Sequence, residues 1–353
     1  MPRPARALIA LGLLLTASSC IDDPVSSSED SPGAAEVMLV WDTFDQLYPA
    51  FGAAGLDWDE IGEEYASRAD TISDRPAMIA LLVEMLAHLQ SRNVVLAGIE
   101  TCSPEIEPNY DIDVLWTYLE PAGFQWVDGW GECLLDSVPY LLIADWDSLG
   151  LIGVLDDFLG QHAGAPALII DVRMSGDLTG SVAVFPNSFP RRIVQRFNSE
   201  TRLGCYAAMR NGPEQDDLLL VPMTINEFAD PWESPVIILC GEGSAWLTEL
   251  FLCMAAEIPT VTILGDTTQG QVDGSYSLEE WFSLPGGEVY RLPLSTILLA
   301  DSVTFVQGSG LQPDILVPAT PEDFAGGIDP VLEYALGLAS GRSSRESQTE
   351  EVR

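Results

Sequence analysis

The chain has 353 residues, 47% of them hydrophobic, and a formal net charge of −39 at pH 7. The hydrophobic share excludes a disordered chain, and the charge excludes nucleic acid as a partner, because like charges repel. All fifteen basic residues are arginine, lysine is absent, and the only histidines are His88 and His162. The side chains that most often activate a serine nucleophile are therefore scarce before any motif is read.

In chain order, residues 1–19 read as an export signal: Arg3 and Arg6 give a basic start, and Ala7 to Ala17 form an apolar run too short to span a bilayer. Ala17, Ser18 and Ser19 then precede Cys20. A cysteine at that place resembles a lipobox, in which the thiol is acylated and becomes the new N-terminus. The plainer alternative is an ordinary secretory signal with Cys20 incidental. Residues 20–35, rich in Ser, Asp and Pro, read as a disordered tether. Ile21 is not the aspartate often read as an inner-membrane retention signal, which favours the outer membrane of the envelope.

Residues 36–92 read as a helical domain. Val37, Val40, Trp41, Phe44 and Leu47 recur at helical spacing, a second helix follows from Trp58 to Tyr65, and a third from Arg75 to Gln90. Residues 93–338 read as an α/β domain. Strands are expected at 94–98, 139–144, 167–172, 235–240 and 260–264, with helices at 149–159 and 245–257. Between them, 101–132 reads as irregular. Its aromatics, among them Trp116, Tyr118, Phe124, Trp126 and Trp130, suit either packing or an exposed binding surface. Residues 339–353 read as a disordered tail. Cys102 and Cys133 lie in polar, loop-like surroundings and are candidates for a disulfide in an oxidising envelope. Neither metal-ligand cysteine spacing nor a histidine cluster occurs, so no metal or cofactor is expected.

Several segments, taken in order, resemble the tail-specific (C-terminal processing) serine peptidases and their tricorn-like relatives. They are Trp41, Tyr48-Pro49 and Asp57-Trp58; Ile169-Ile170-Asp171-Val172-Arg173; Arg210-Asn211-Gly212-Pro213; Gly265-Asp266-Thr267-Thr268-Gln269-Gly270; and Gly308-Ser309-Gly310-Leu311-Gln312-Pro313-Asp314. The resemblance spans about residues 36 to 338 and implies a crotonase-like (ClpP-like) β-β-α core behind a small helical bundle. It also implies peptide hydrolysis by a serine paired with lysine, or with histidine in tricorn-like members.

At the positions the resemblance assigns, this sequence departs from the pattern. The nucleophile position falls on Trp246, in register with Glu249 and Phe251. The lysine position, 25 residues later, falls on Gln271, and a carboxamide accepts no proton at neutral pH. The tricorn-like histidine position falls on Asn93. The oxyanion segment reads Ser175-Gly176-Asp177-Leu178, where an acid would oppose a developing oxyanion. Ser175, Gly176, Gly243 and Glu249 remain as groove residues. The resulting expectation is a lipid-anchored relative that binds peptide or protein without hydrolysing it. The alternative is a working serine peptidase with a displaced nucleophile, Ser244 or Thr248. Against it, Ser244 suits a helix N-cap and Thr248 a helix surface or packing position.

Overall fold

A computed structural model of the chain describes residues 31–103, 105–127, 129–146, 151–176, 189–274 and 280–341. It opens with four helices, α1 (Pro32–Leu47), α2 (Phe51–Ala54), α3 (Trp58–Ala69) and α4 (Arg75–Ala87). Ser31, Asp57 and Asp74 cap α1, α3 and α4 by accepting the Ala34, Glu60 and Ala77 N–H groups, which would otherwise be orphaned. The capped helix thus begins inside the expected tether, and its Ala34 is already buried. Trp41 and Trp58 cross-link α1 and α3, each indole N–H donating to the other's backbone carbonyl. Gly62 leaves room for this: a Cβ there would lie 2.6 Å from the Trp41 ring.

Two short strands, β1 (Val95–Leu96) and β2 (Ile99–Glu100), follow. The stretch expected to be irregular holds α5 (Ile112–Leu119), β3 (Gln125–Val127) and β4 (Trp130–Leu135). Then come β5 (Val138–Ile143), α6 (Leu151–Gln161), β6 (Leu168–Asp171), α7 (Phe189–Gln195) and the hairpin β7 (Arg202–Arg210) and β8 (Leu218–Ile225). The chain continues through β9 (Val236–Cys240), α8 (Leu247–Ala255), β10 (Val261–Gly265), β11 (Glu280–Ser283), β12 (Val289–Leu292) and β13 (Thr296–Leu299). It closes with β14 (Ile315–Leu316), α9 (Pro321–Ala325) and α10 (Pro330–Ala339). Ala339 is therefore the end of a helix; the rest of the expected tail, from residue 342, lies outside the described residues, as do the signal segment and Cys20.

The central sheet has the order β14-β10-β9-β6-β5-β4-β3, parallel from β14 to β5 and antiparallel beyond it. Its middle strands are apolar runs because helices cover both faces. Successive residues alternate between two cores. Leu168, Ile170 and Ile238 face α6, α7, α8 and the sheet β13-β7-β8, whereas Ile169, Ile237 and Leu239 face α5 and α10. The third sheet, β11-β12-β1-β2, joins the N-terminal helices through Leu96, Tyr290 and Leu292. The helical core thus extends past residue 92 into strands from both ends of the α/β region. Among the described residues no helix is long and apolar enough to cross a membrane.

The end of β6 is fixed by a buried charge group. The Arg173 guanidinium pairs with Asp171 at 2.7 Å and Asp329 at 2.9 Å, with all three side chains at most 1% exposed. Tyr140 donates to Asp171, and Asp329 also accepts the Leu332 N–H at the start of α10. Removing one member of a buried charge group leaves another uncompensated in a medium that solvates it poorly. Asp329→Ala is therefore expected to cost about 3–5 kcal/mol, measurable as a drop in the urea midpoint. A change under about 1 kcal/mol, the size of a surface pair, would show that this bracing is unimportant.

Candidate functional site

The site forms where β9 ends and α8 begins. Residues 241–245 make the turn, and Trp246 is the N-cap residue of α8, with φ 55° and ψ −113° and no capping bond from its side chain. Positive φ is uncommon for a bulky residue, so the surroundings hold this backbone in place. The indole is half-buried against the central core, and its Nε1–H has no acceptor. No nucleophilic atom stands at this position.

The restraint comes from Glu249, one turn into α8 and fully buried. Its Oε1 accepts the Thr268 hydroxyl at 2.5 Å and the Gly270 N–H at 2.7 Å; its Oε2 accepts the Gln271 N–H at 2.7 Å. The Trp246 N–H bonds to the same carboxylate. Burial pushes the carboxyl up to about 7, and these hydrogen bonds pull the other way. The backbones of residues 246 and 271 thus meet at one acceptor.

The Gln271 side chain turns toward the loop after α4. Its Oε1 accepts the Arg92 N–H at 2.9 Å, and its Nε2 donates to the Gln90 carbonyl at 3.0 Å. Asn93 is equally committed, donating from Nδ2 to the Asp273 carbonyl at 2.7 Å and carboxylate at 2.9 Å. Asp273 also accepts from Ser91 and Tyr48, and burial raises its pKa. None of these groups offers a free base.

The two fallback hydroxyls are also engaged. Ser244 is not the N-cap of α8: its Oγ donates to the Val172 carbonyl at 2.9 Å and accepts the Gly241 N–H. Thr248 Oγ1 donates to the Ser175 carbonyl and accepts the Trp146 indole N–H at 2.8 Å. Ser175 Oγ lies 2.9 Å from Thr248 Oγ1. Gly176 and Gly243 let the loop after β6 press against the turn after β9. A Cβ on Gly176 would meet the Gly243 carbonyl oxygen at 2.2 Å, and one on Gly243 would meet that of Arg173 at 2.2 Å. Asp177 and Leu178 lie outside the described residues.

Cys102 and Cys133 are free thiols, which corrects the expected disulfide. Cys133 is buried on β4 opposite Tyr140, where burial raises its thiol to about 12. Cys102 sits within the electrostatic reach of Arg92 and Asp273 instead. His88 contacts the Tyr65 hydroxyl, and His162 packs edge-on to Phe158. Of the aromatic stretch, Trp130 is buried, while Trp116 and Trp126 are 38% and 46% exposed. Sequence reading missed the roles of Thr268 and Asp273 as hubs. The signal available was their place in the Gly-rich 265–274 loop, where a lone acid must find local donors.

The Peptidase family S41 model matches residues 138–317, and the Tricorn protease C1 domain model matches residues 38–87. The chain therefore belongs to peptidase family S41 and is related to the tail-specific proteases. Solved structures with this fold include a candidate peptidase from Parabacteroides merdae ATCC 43184, at 23% identity and TM-score 0.74 over 87% of this chain and 96% of that one. Mature CPAF aligns at 11% identity and TM-score 0.58, over 87% and 96%. The tricorn protease aligns at 15% identity and TM-score 0.51, over 91% of this chain and 38% of that one. These likenesses are of fold. No curated protein sequence matches the chain.

Glu249→Gln places an NH2 donor against N–H donors, leaving at least one unpaired at about 1–3 kcal/mol. The carboxyl sits at about 7 when folded and at about 4.3 when unfolded. The folded state thus binds the extra proton between those values, and the stability this confers is present below about pH 4 and lost as pH rises through 7. The wild-type urea midpoint, referenced to Glu249→Gln, is expected to fall across that window. A difference that stays flat with pH would rule out this titration.

Proposed function

We propose that this family S41 member is an envelope lipoprotein that binds peptide or protein and does not turn it over. What carries the reading is the pair of side chains at the positions that the family resemblance assigns to the nucleophile and its base. Trp246 supplies an indole, and Gln271 a carboxamide already bonded to the 90–92 loop. A serine mechanism needs a hydroxyl within reach of a proton acceptor. Here the hydroxyls of Ser244 and Thr248 donate to backbone carbonyls, and the chain contains no lysine. The turn after β9 and the backbone of residues 270–271 are held in order through Glu249, which favours binding over a purely structural role.

Purified protein is expected to leave casein and C-terminal peptides uncut and to form no adduct with a fluorophosphonate probe. Cleavage that disappears in Ser244→Ala or Thr248→Ala would overturn this reading in favour of a displaced nucleophile.

The anchor is proposed at Cys20, with the outer membrane as its site. The support is the Ala17-Ser18-Ser19-Cys20 sequence, the basic and apolar residues before it, and Ile21 after it. Cells fed an alkyne-bearing palmitate analogue are expected to label the wild-type chain and not Cys20→Ala. Equal labelling of both would rule out this acylation site.

A further inference from the structure

A cavity of about 710 Å³ opens beside the turn that leads to Trp246. Its walls come from residues 106–111, from Glu242 after β9, from Asp266 after β10, and from residues 319–325 around α9. Four carboxylates line it, those of Glu107, Asp111, Glu242 and Asp266, and neither arginine nor histidine does. Internal bonds hold three of them in place. Asp111 accepts the Asp113 and Val114 N–H groups, Glu242 the Glu107 N–H, and Asp266 the Thr267 N–H. Each of those bonds is donated by backbone, and among the described residues none of the four carboxylates is in a salt bridge. The Arg173 guanidinium donates to the Asn109 carbonyl at 3.2 Å and lies 5.7 Å from the Tyr110 ring centroid, but it is already paired with two aspartates.

A second observation has the same sign. Asn109 lines this cavity and is 5% exposed. Its Nδ2 donates to the Cys240 carbonyl at 2.8 Å, while its Oδ1 has no donor. That oxygen lies against Gly241, the residue before Glu242, where an added Cβ would sit 2.3 Å from it. Buried acceptors without donors are rare and costly, and this oxygen and the four carboxylates are all acceptors. The missing partner must therefore donate and carry positive charge. Ile106, Tyr110 and Phe324 supply apolar and aromatic wall, which suits an alkyl stem behind a cationic head. Among the described residues no group of three His, Cys, Asp or Glu is placed to hold a metal ion, so an organic cation fits better.

The geometry points to a pocket for the lysine or arginine side chain of a bound peptide. This rests on the peptide-binding reading and names the chemistry of its ligand. The net charge of −39 would also draw such a peptide toward the protein from a distance.

Calorimetric titration of the full chain with acetyl-Ala-Ala-X-Ala-Ala-amide peptides, where X is Lys, Arg, norleucine or Glu, tests this directly. The Lys and Arg peptides are expected to bind about tenfold more tightly than the norleucine peptide, with the Glu peptide weakest. Asp266→Asn and Glu242→Gln, both near-isosteric, are each expected to reduce that ratio by about threefold. Glu63→Gln, an exposed change on α3 away from the cavity, should leave it unchanged and so separates the pocket from the general acidity. Equal affinity for the Lys and norleucine peptides would overturn this inference while keeping the binding reading. Absence of binding by any of the four would overturn both. If 1,5-diaminopentane binds as tightly as the Lys peptide, the cation is a free amine and the assignment to a peptide falls.

Discussion

The buried Glu249 carboxylate is the interaction on which the site depends. It collects N–H groups from Trp246, Gly270 and Gln271 and the Thr268 hydroxyl, tying the start of α8 to the loop after β10. Without it, those donors would be left unpaired, at about 1–3 kcal/mol for each that is buried. Its effect is to hold the backbones of residues 246 and 271 together at one acceptor.

The rest of the site is a chain of similar commitments. Asp273 gathers Tyr48, Ser91 and Asn93, and so links the N-terminal helices to the same loop. Gln307 accepts the Val272 and Asp273 N–H groups. Arg173 with Asp171 and Asp329 fixes the end of β6, from which Ser175 and Gly176 run against the turn after β9. Each buried polar group stabilises a loop that apolar packing could not order, because loops near a sheet's carboxyl edge have few side chains to bury. The result is an ordered site in which the side chains of Gln271, Asn93, Ser244 and Thr248 are all already hydrogen-bonded.

Much of this fold was legible in the sequence. The apolar runs 167–172 and 235–240 read as buried strands because helices cover both faces of the sheet. Helical spacing located the N-terminal helices. The capping value of Ser31 was hidden by the Ser, Asp and Pro composition around it, so the first turn of α1 was assigned to the tether. Short strands were harder: β1 and β2 have two residues each, and β11 to β13 pair with distant segments that local pattern cannot indicate. At the site, the identities of Trp246, Gln271 and Asn93 carried the chemical argument. Which hydroxyls were already bonded did not, since Ser244 and Val172 are neighbours only in three dimensions. The Cys102 and Cys133 expectation failed for the same reason, because polar surroundings in sequence did not reveal that Cys133 faces a core.

The most direct test of the proposed lack of turnover is rapid-mixing measurement of product release from an activated peptide p-nitrophenyl ester, at protein concentrations high enough to see a single turnover. A covalent serine mechanism yields an initial burst equal to the concentration of sites. The expected result is no burst and a steady rate equal to that of an unrelated protein at the same concentration. A stoichiometric burst, with an acyl group recovered on Ser244, Thr248 or any other hydroxyl, would contradict it.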